Sequence, residues 1–146
     1  MIMCWETKKL KVKTAKRDIT VWKVVYRDES SYETECYALY HRTYYYLKGK
    51  IQHSCMHFMY YLNFNHILGS EGFHSYSKKL TPIITKDFIY IRKKYFLGLR
   101  KKIIESYPNR RFVKIAEFSI PKGANYAINE KGEIISDKII FKNIID

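Results

Sequence analysis

The sequence predicts an α+β fold, in which an antiparallel, tyrosine-rich sheet carries one long amphipathic basic helix over about 85–106 and ends in a C-terminal β-hairpin. Three observations carry this expectation. Alternating β-branched and aromatic residues over Ile19–Tyr26 and Phe112–Ile120 mark strands. Apolar residues recurring at three and four positions from Phe88 to Ile103 mark a helix. Asn129-Glu130-Lys131-Gly132, between two apolar runs, marks a tight hairpin turn. A chain of 146 residues, 47% of them hydrophobic, has enough apolar surface to build one core without disulfides or metals, so residues 1–146 are expected to form a single domain.

Between Lys8 and Arg17 there are six cations and no acid, and residues 1–17 are therefore read as a basic arm or an edge segment. Ile19–Tyr26 interleaves Ile19, Val21, Lys23 and Val25 with Thr20, Trp22, Val24 and Tyr26, which predicts a strand covered on both faces. After the polar turn Asp28-Glu29-Ser30-Ser31, residues 32–47 have room for two short strands. Period 2 sets Tyr37, Leu39, His41, Thr43 and Tyr45 on one face and Cys36, Ala38, Tyr40, Arg42, Tyr44 and Tyr46 on the other. A tyrosine-lined face can stack bases or sugars, and tyrosine is also an ordinary strand former.

Residues 51–68 hold His53, Cys55, His57 and His66. The spacing of His53, Cys55 and His57 could ligate zinc on a strand or a helix, but a complete site needs further ligands at a supporting spacing and none is visible, so no metal is expected. The helix is placed by Thr85 as N-cap, Asp87 in the first turn and the stripe Phe88, Ile91, Tyr95, Leu99 and Ile103, with Tyr107-Pro108-Asn109 as its stop. Beyond it Phe112–Ile120 alternates and Pro121-Lys122-Gly123 turns the chain. Asn125–Ile128, Glu133–Ser136 and Lys138–Phe141 then form the closing strands.

Formal net charge is +13, from 27 Lys and Arg against 14 Asp and Glu, which favours encounter with nucleic acid, nucleotides or acidic protein surfaces. The predicted helix and its sequel concentrate that charge, with Glu105 the one acid between Arg92 and Lys114. Arg92, Lys93, Arg100, Lys101, Arg110 and Arg111 are the candidate phosphate contacts. Three cysteines, Cys4, Cys36 and Cys55, without a Cys-x-x-Cys pair argue against a disulfide framework and for a reducing compartment. The start Met1-Ile2-Met3-Cys4-Trp5 does not read as a signal peptide, and the apolar run 55–62 is too short to span a bilayer. A cytoplasmic protein without a membrane partner is expected.

The densest chemistry is Glu71-Gly72-Phe73-His74-Ser75-Tyr76. As a structural junction, Gly72 permits a bend, Phe73 plugs the core, and the polar residues satisfy backbone groups. As a ligand site, Gly72 lets the backbone approach a ligand that His74 and Tyr76, two apart on a strand, then contact. Ser75 and His74 make a poor nucleophile and base, because adjacent strand residues point to opposite faces.

With this hexapeptide, Ile120-Pro121-Lys122-Gly123-Ala124-Asn125-Tyr126, the strand opening at 18–25 and the ending at 132–137, the chain resembles a group of small uncharacterised proteins of Bacteroides-type bacteria and their phages. The resemblance covers most of the chain. It implies a phage or mobile-element context in a bacterial cytoplasm and carries no activity with it, and the basic helix and the His-rich aromatic stretch depart from it. More distantly, Glu117, four residues before Pro121-Lys122-Gly123, is similar to the catalytic glutamate of ADP-ribosyltransferases. That resemblance implies NAD as cofactor, Glu117 stabilising an oxocarbenium ion, and His74 or Tyr76 holding the nicotinamide side. The chain has no matching arginine or Ser-Thr-Ser element. The expected function is a non-enzymatic binding protein, without cofactor, that engages nucleic acid or a nucleotide-like anion or inhibits an acidic host protein; the transferase is the alternative.

Overall fold

The computed structural model describes residues 12–27, 35–38, 45–53, 58–61, 64–67, 72–94, 101–108 and 112–145. Over these residues the protein is all-β. Its strands are β1 (Lys13–Thr14), β2 (Ile19–Tyr26), β3 (Glu35–Ala38), β4 (Tyr45–Leu47), β5 (Ile51–His53), β6 (Phe58–Tyr61), β7 (Phe64–Ile67), β8 (Phe73–Tyr76), β9 (Leu80–Ile84), β10 (Phe88–Lys94), β11 (Lys101–Pro108), β12 (Val113–Ile120), β13 (Asn125–Ile128), β14 (Glu133–Ser136) and β15 (Lys138–Ile145).

The hub is β2. It gives one whole edge to β12, in register from Tyr26 opposite Val113 to Ile19 opposite Ile120. Its other edge is shared: β8 joins at Trp22 opposite Tyr76, and β3 joins further along at Val25 and Tyr26. β3 pairs with β4, and Lys48, just past β4, bridges Phe141 of β15, which runs along the far edge of β12. Strands β12, β2, β3, β4 and β15 therefore close a circuit in the manner of a small barrel, a way of leaving few open edges. From β8 the sheet continues through β14 and β13 to β1, β5 pairs with the start of β15, and β6 pairs with β7.

Period-2 alternation explains the core. Val21 and Val25 of β2, Ala116 and Phe118 of β12, Cys36 of β3 and Phe141 of β15 share the inner face and are fully buried. The Phe118 ring meets Tyr46 edge-on at 5.0 Å and Phe141 at 5.4 Å. Burying a phenylalanine of this kind stabilises by about 1.5–3 kcal/mol. On the outer face of β2 and β12 lies a second sheet of β9, β10 and β11. There Leu80, Ile89, Ile91 and Tyr107 pack with Tyr76, Val113 and Ile115, and half-buried Trp22 and Val24 border them.

The expected α+β class and its helix over 85–106 are overturned: β10 and β11 are antiparallel strands, with a bulge between Ile91 and Arg92. The N-cap signal at Thr85 has a physical basis but a different use. Its hydroxyl accepts the Phe88 N–H at 3.1 Å, as an N-cap would, yet the Thr85 N–H also donates to the Phe88 carbonyl at 2.9 Å, and the pair closes the turn between β9 and β10. The helical stripe divides accordingly: Ile91 is 1% exposed while Phe88 and Ile103 are 44% and 51% exposed, and Tyr95 and Leu99 lie outside the described residues. Phe88-Ile89-Tyr90-Ile91 is rich in residues that suit a pleated surface, and pairing on both edges of β10 settles the ambiguity in favour of strand.

At the N-terminal side, Lys13 and Thr14 pair with Tyr126 and Asn125 as an edge strand. Ala15 is buried, donates to the Ala124 carbonyl and accepts from the Gly123 N–H, both at 2.8 Å. Residues 1–11 of the predicted basic arm lie outside the described residues.

Candidate functional site

Where the second sheet ends, the outer face of the barrel carries a row of aromatic side chains. Val113, Tyr26, Tyr37 and Tyr45 stand opposite one another across β12, β2, β3 and β4 and so share a face. Val113 is buried under the apolar layer, Tyr26 and Tyr37 are half-buried, and Tyr45 is 49% exposed. Phe112, 43% exposed, meets the Tyr26 ring edge-on at 6.4 Å, and Tyr37 and Tyr45 are tilted by 57° with centroids 6.3 Å apart. The Arg27 N–H donates to the Phe112 carbonyl at 2.9 Å, which fixes the end of the row. Exposed Lys48 follows β4 and exposed Lys50 precedes β5, whereas exposed Lys114, paired with Val25, belongs to the other face of the sheet. Glu35 approaches the Tyr37 hydroxyl at 3.5 Å on the same face.

A second polar group lies between the two sheets. Glu105 and Tyr107 of β11 and Lys93 of β10 face inward, and all are buried. The Lys93 ammonium donates to the Lys131 carbonyl, bracing the turn at Gly132, where φ is +78°. Burial pushes the Glu105 carboxyl above its ordinary range, against the pull of the Tyr107 hydroxyl and the Lys23 charge. The Lys23 ammonium donates to the His74 carbonyl and lies 5.9 Å from the centre of the Tyr46 ring. Desolvation lowers it to about 8 despite the countervailing charges of Cys36 and Glu105. Burial likewise pushes the Cys36 thiol up to about 12, which makes it unreactive at neutral pH. Through their hydrogen bonds Lys93 holds a turn and Lys23 a strand edge.

The predicted site residues that the structure describes lie on different strands. Arg92 is half-buried on β10 opposite Thr81 and Ile103, and Lys93 is turned into the inter-sheet layer, so neither belongs to an exposed helical band. Lys101 is placed on β11, and Arg100, Arg110 and Arg111 lie outside the described residues. His74 and Tyr76 are on one face of β8, with Ser75 on the opposite, inner face, fully buried. Glu117 shares the outer face with Tyr76, but Trp22 stands between them in register, which separates their backbones by two strand spacings, about 10 Å. Glu117 is half-buried and pairs on its other side with Asn143. Of the His53, Cys55 and His57 group, His53 is exposed on β5 and the other two lie outside the described residues.

Tyr37 and Tyr45 fall on one face as their spacing predicts, because the register places them directly opposite. Tyr26 and Phe112 were not foreseen as their neighbours. The available signal was that each stands at the end of a predicted strand, so antiparallel pairing of those strands brings them together. Among the described residues no helix is long and apolar enough to cross a membrane. No protein-family model, curated protein or solved structure matches this chain.

Proposed function

We propose that this is a small, basic, non-enzymatic binding protein that engages nucleic acid. The observation that carries the reading is the row Tyr26, Tyr37 and Tyr45, with Phe112, on the outer sheet face, exposed at Tyr45 and Phe112, with exposed Lys48 and Lys50 at its β4 end, in a chain of net charge +13. Aromatic rings on a sheet supply faces for bases, and lysines beside them supply counter-charge for phosphates. The resemblance to phage proteins gives a setting in which such a protein would meet nucleic acid in a bacterial cytoplasm.

Anisotropy titration of a labelled thymidine oligonucleotide at a series of salt concentrations tests the proposal. The expected result is an affinity that falls steeply and linearly on a log-log plot between about 50 and 200 mM salt, as release of several counterions requires. Binding that is flat over that range, or absent at the lowest salt, would overturn it.

A further inference from the structure

We infer that the Tyr26, Tyr37 and Tyr45 row selects unpaired bases on an extended single strand rather than a duplex. This rests on the nucleic-acid reading above. It follows from how the rings are spaced and turned.

The ring centroids are 6.3 Å apart for Tyr37 and Tyr45 and 6.4 Å apart for Tyr26 and Phe112. A strand within a duplex advances about 3.4 Å per nucleotide, roughly half that distance. Successive bases in a helical stack therefore cannot each reach their own ring, whereas an extended strand with splayed bases can. Tyr37 and Tyr45 are tilted by 57° and Tyr26 and Phe112 are near-perpendicular at 83°, so neither pair is a parallel stack. Base pairs in a duplex offer edges in the grooves, while unpaired bases offer faces, and face contact is what an exposed phenol provides.

Charge assigns the backbone path. Lys48 and Lys50, both exposed, lie at the β4 end of the row beside Tyr45, so phosphates can be met at that end. Glu35 sits at the flank of Tyr37 and disfavours a path over its own side.

The test compares a 15-nucleotide thymidine single strand with a duplex of equal length at one salt concentration, for the wild type and for Tyr45→Ala, Tyr45→Phe and Phe88→Ala. The single strand is expected to bind at least about tenfold more tightly than the duplex. Tyr45→Ala should weaken single-strand binding about tenfold and leave duplex binding unchanged, the size expected for one lost base stack. Tyr45→Phe should retain binding, and so should Phe88→Ala, which removes an exposed aromatic from the other sheet. Equal affinity for duplex and single strand, or single-strand binding that Tyr45→Ala does not change, would overturn the inference while leaving nucleic-acid binding intact. Absence of binding to both probes would overturn the underlying reading instead. Tyr45 is half-exposed, so a thermal melt of each variant separates loss of stacking from loss of fold.

Discussion

The Lys23 ammonium is bonded to the main-chain carbonyl of His74, at the point where β8 leaves the edge of β2 and β3 takes its place. A strand edge that changes partner exposes carbonyls to no ladder donor, and Lys23 supplies one at the cost of burying a charge.

That cost gives a pH dependence with a definite sign. Lys23 has its folded value lowered from 10.5 to about 8, so between those values the unfolded chain binds a proton that the folded one does not, and stability rises with pH. Cys36, raised from 9.0 to about 12, acts in the opposite direction above pH 9. Between pH 8 and 9 the wild type should therefore gain about 1 kcal/mol from Lys23. Urea unfolding of the wild type and Lys23→Met across that window checks it: the variant should lose the rise, and an identical slope in both proteins would refute the assignment.

Glu105 predicts the reverse trend at lower pH. Its folded carboxyl is raised above 4.5 chiefly by burial, so as pH increases past 4.5 the folded state retains a proton that the unfolded state releases, and stability falls. Glu105→Gln has no such penalty. Its melting temperature relative to wild type should climb from pH 4 to pH 7. A relative decline over the same range would mean that the Lys23 charge and the Tyr107 hydroxyl outweigh desolvation.

Ile91 and Ile103 distinguish the paired strands from a helix directly. On one helical stripe both would be buried, whereas here Ile91 is 1% and Ile103 51% exposed. Ile91→Ala is expected to cost about 2–5 kcal/mol and Ile103→Ala to stay within about 0.5 kcal/mol. Equal, large losses in chemical denaturation would favour the helix.

Much of the sheet was legible where alternation and turn chemistry agree. Ile19–Tyr26, Asn125–Ile128 and Glu133–Ser136 have their predicted bounds, and Gly132 adopts the positive φ that the Asn129 turn requires. The carboxamide oxygen of Asn129 accepts from Lys131 N–H and Glu133 N–H, both at 3.0 Å, so this turn is encoded locally. Residues 85–106 misled because Thr85 makes the same hydroxyl bond in a hairpin as in an N-cap, and Phe88, Ile91 and Ile103 satisfy a helical period by coincidence of two separate strands. The tyrosine face was half visible. Tyr37 and Tyr45 share a parity that a sequence displays, but their meeting with Tyr26 depends on β3 taking up the edge of β2, a long-range choice that no local pattern records.

The bridge between Lys48 and Phe141 has a consequence for how the molecule comes into being. The circuit is shut by residues 93 positions apart in the chain, and β12 and β15, both late in synthesis, flank the segments that β2 to β4 supply early. While the polypeptide is still emerging from the ribosome, β2 to β4 have no completed ring to enter, and their apolar inner side chains wait for partners. Closure by such distant pairing favours slow, all-at-once maturation, and it places the period of greatest aggregation risk before β15 becomes free to join.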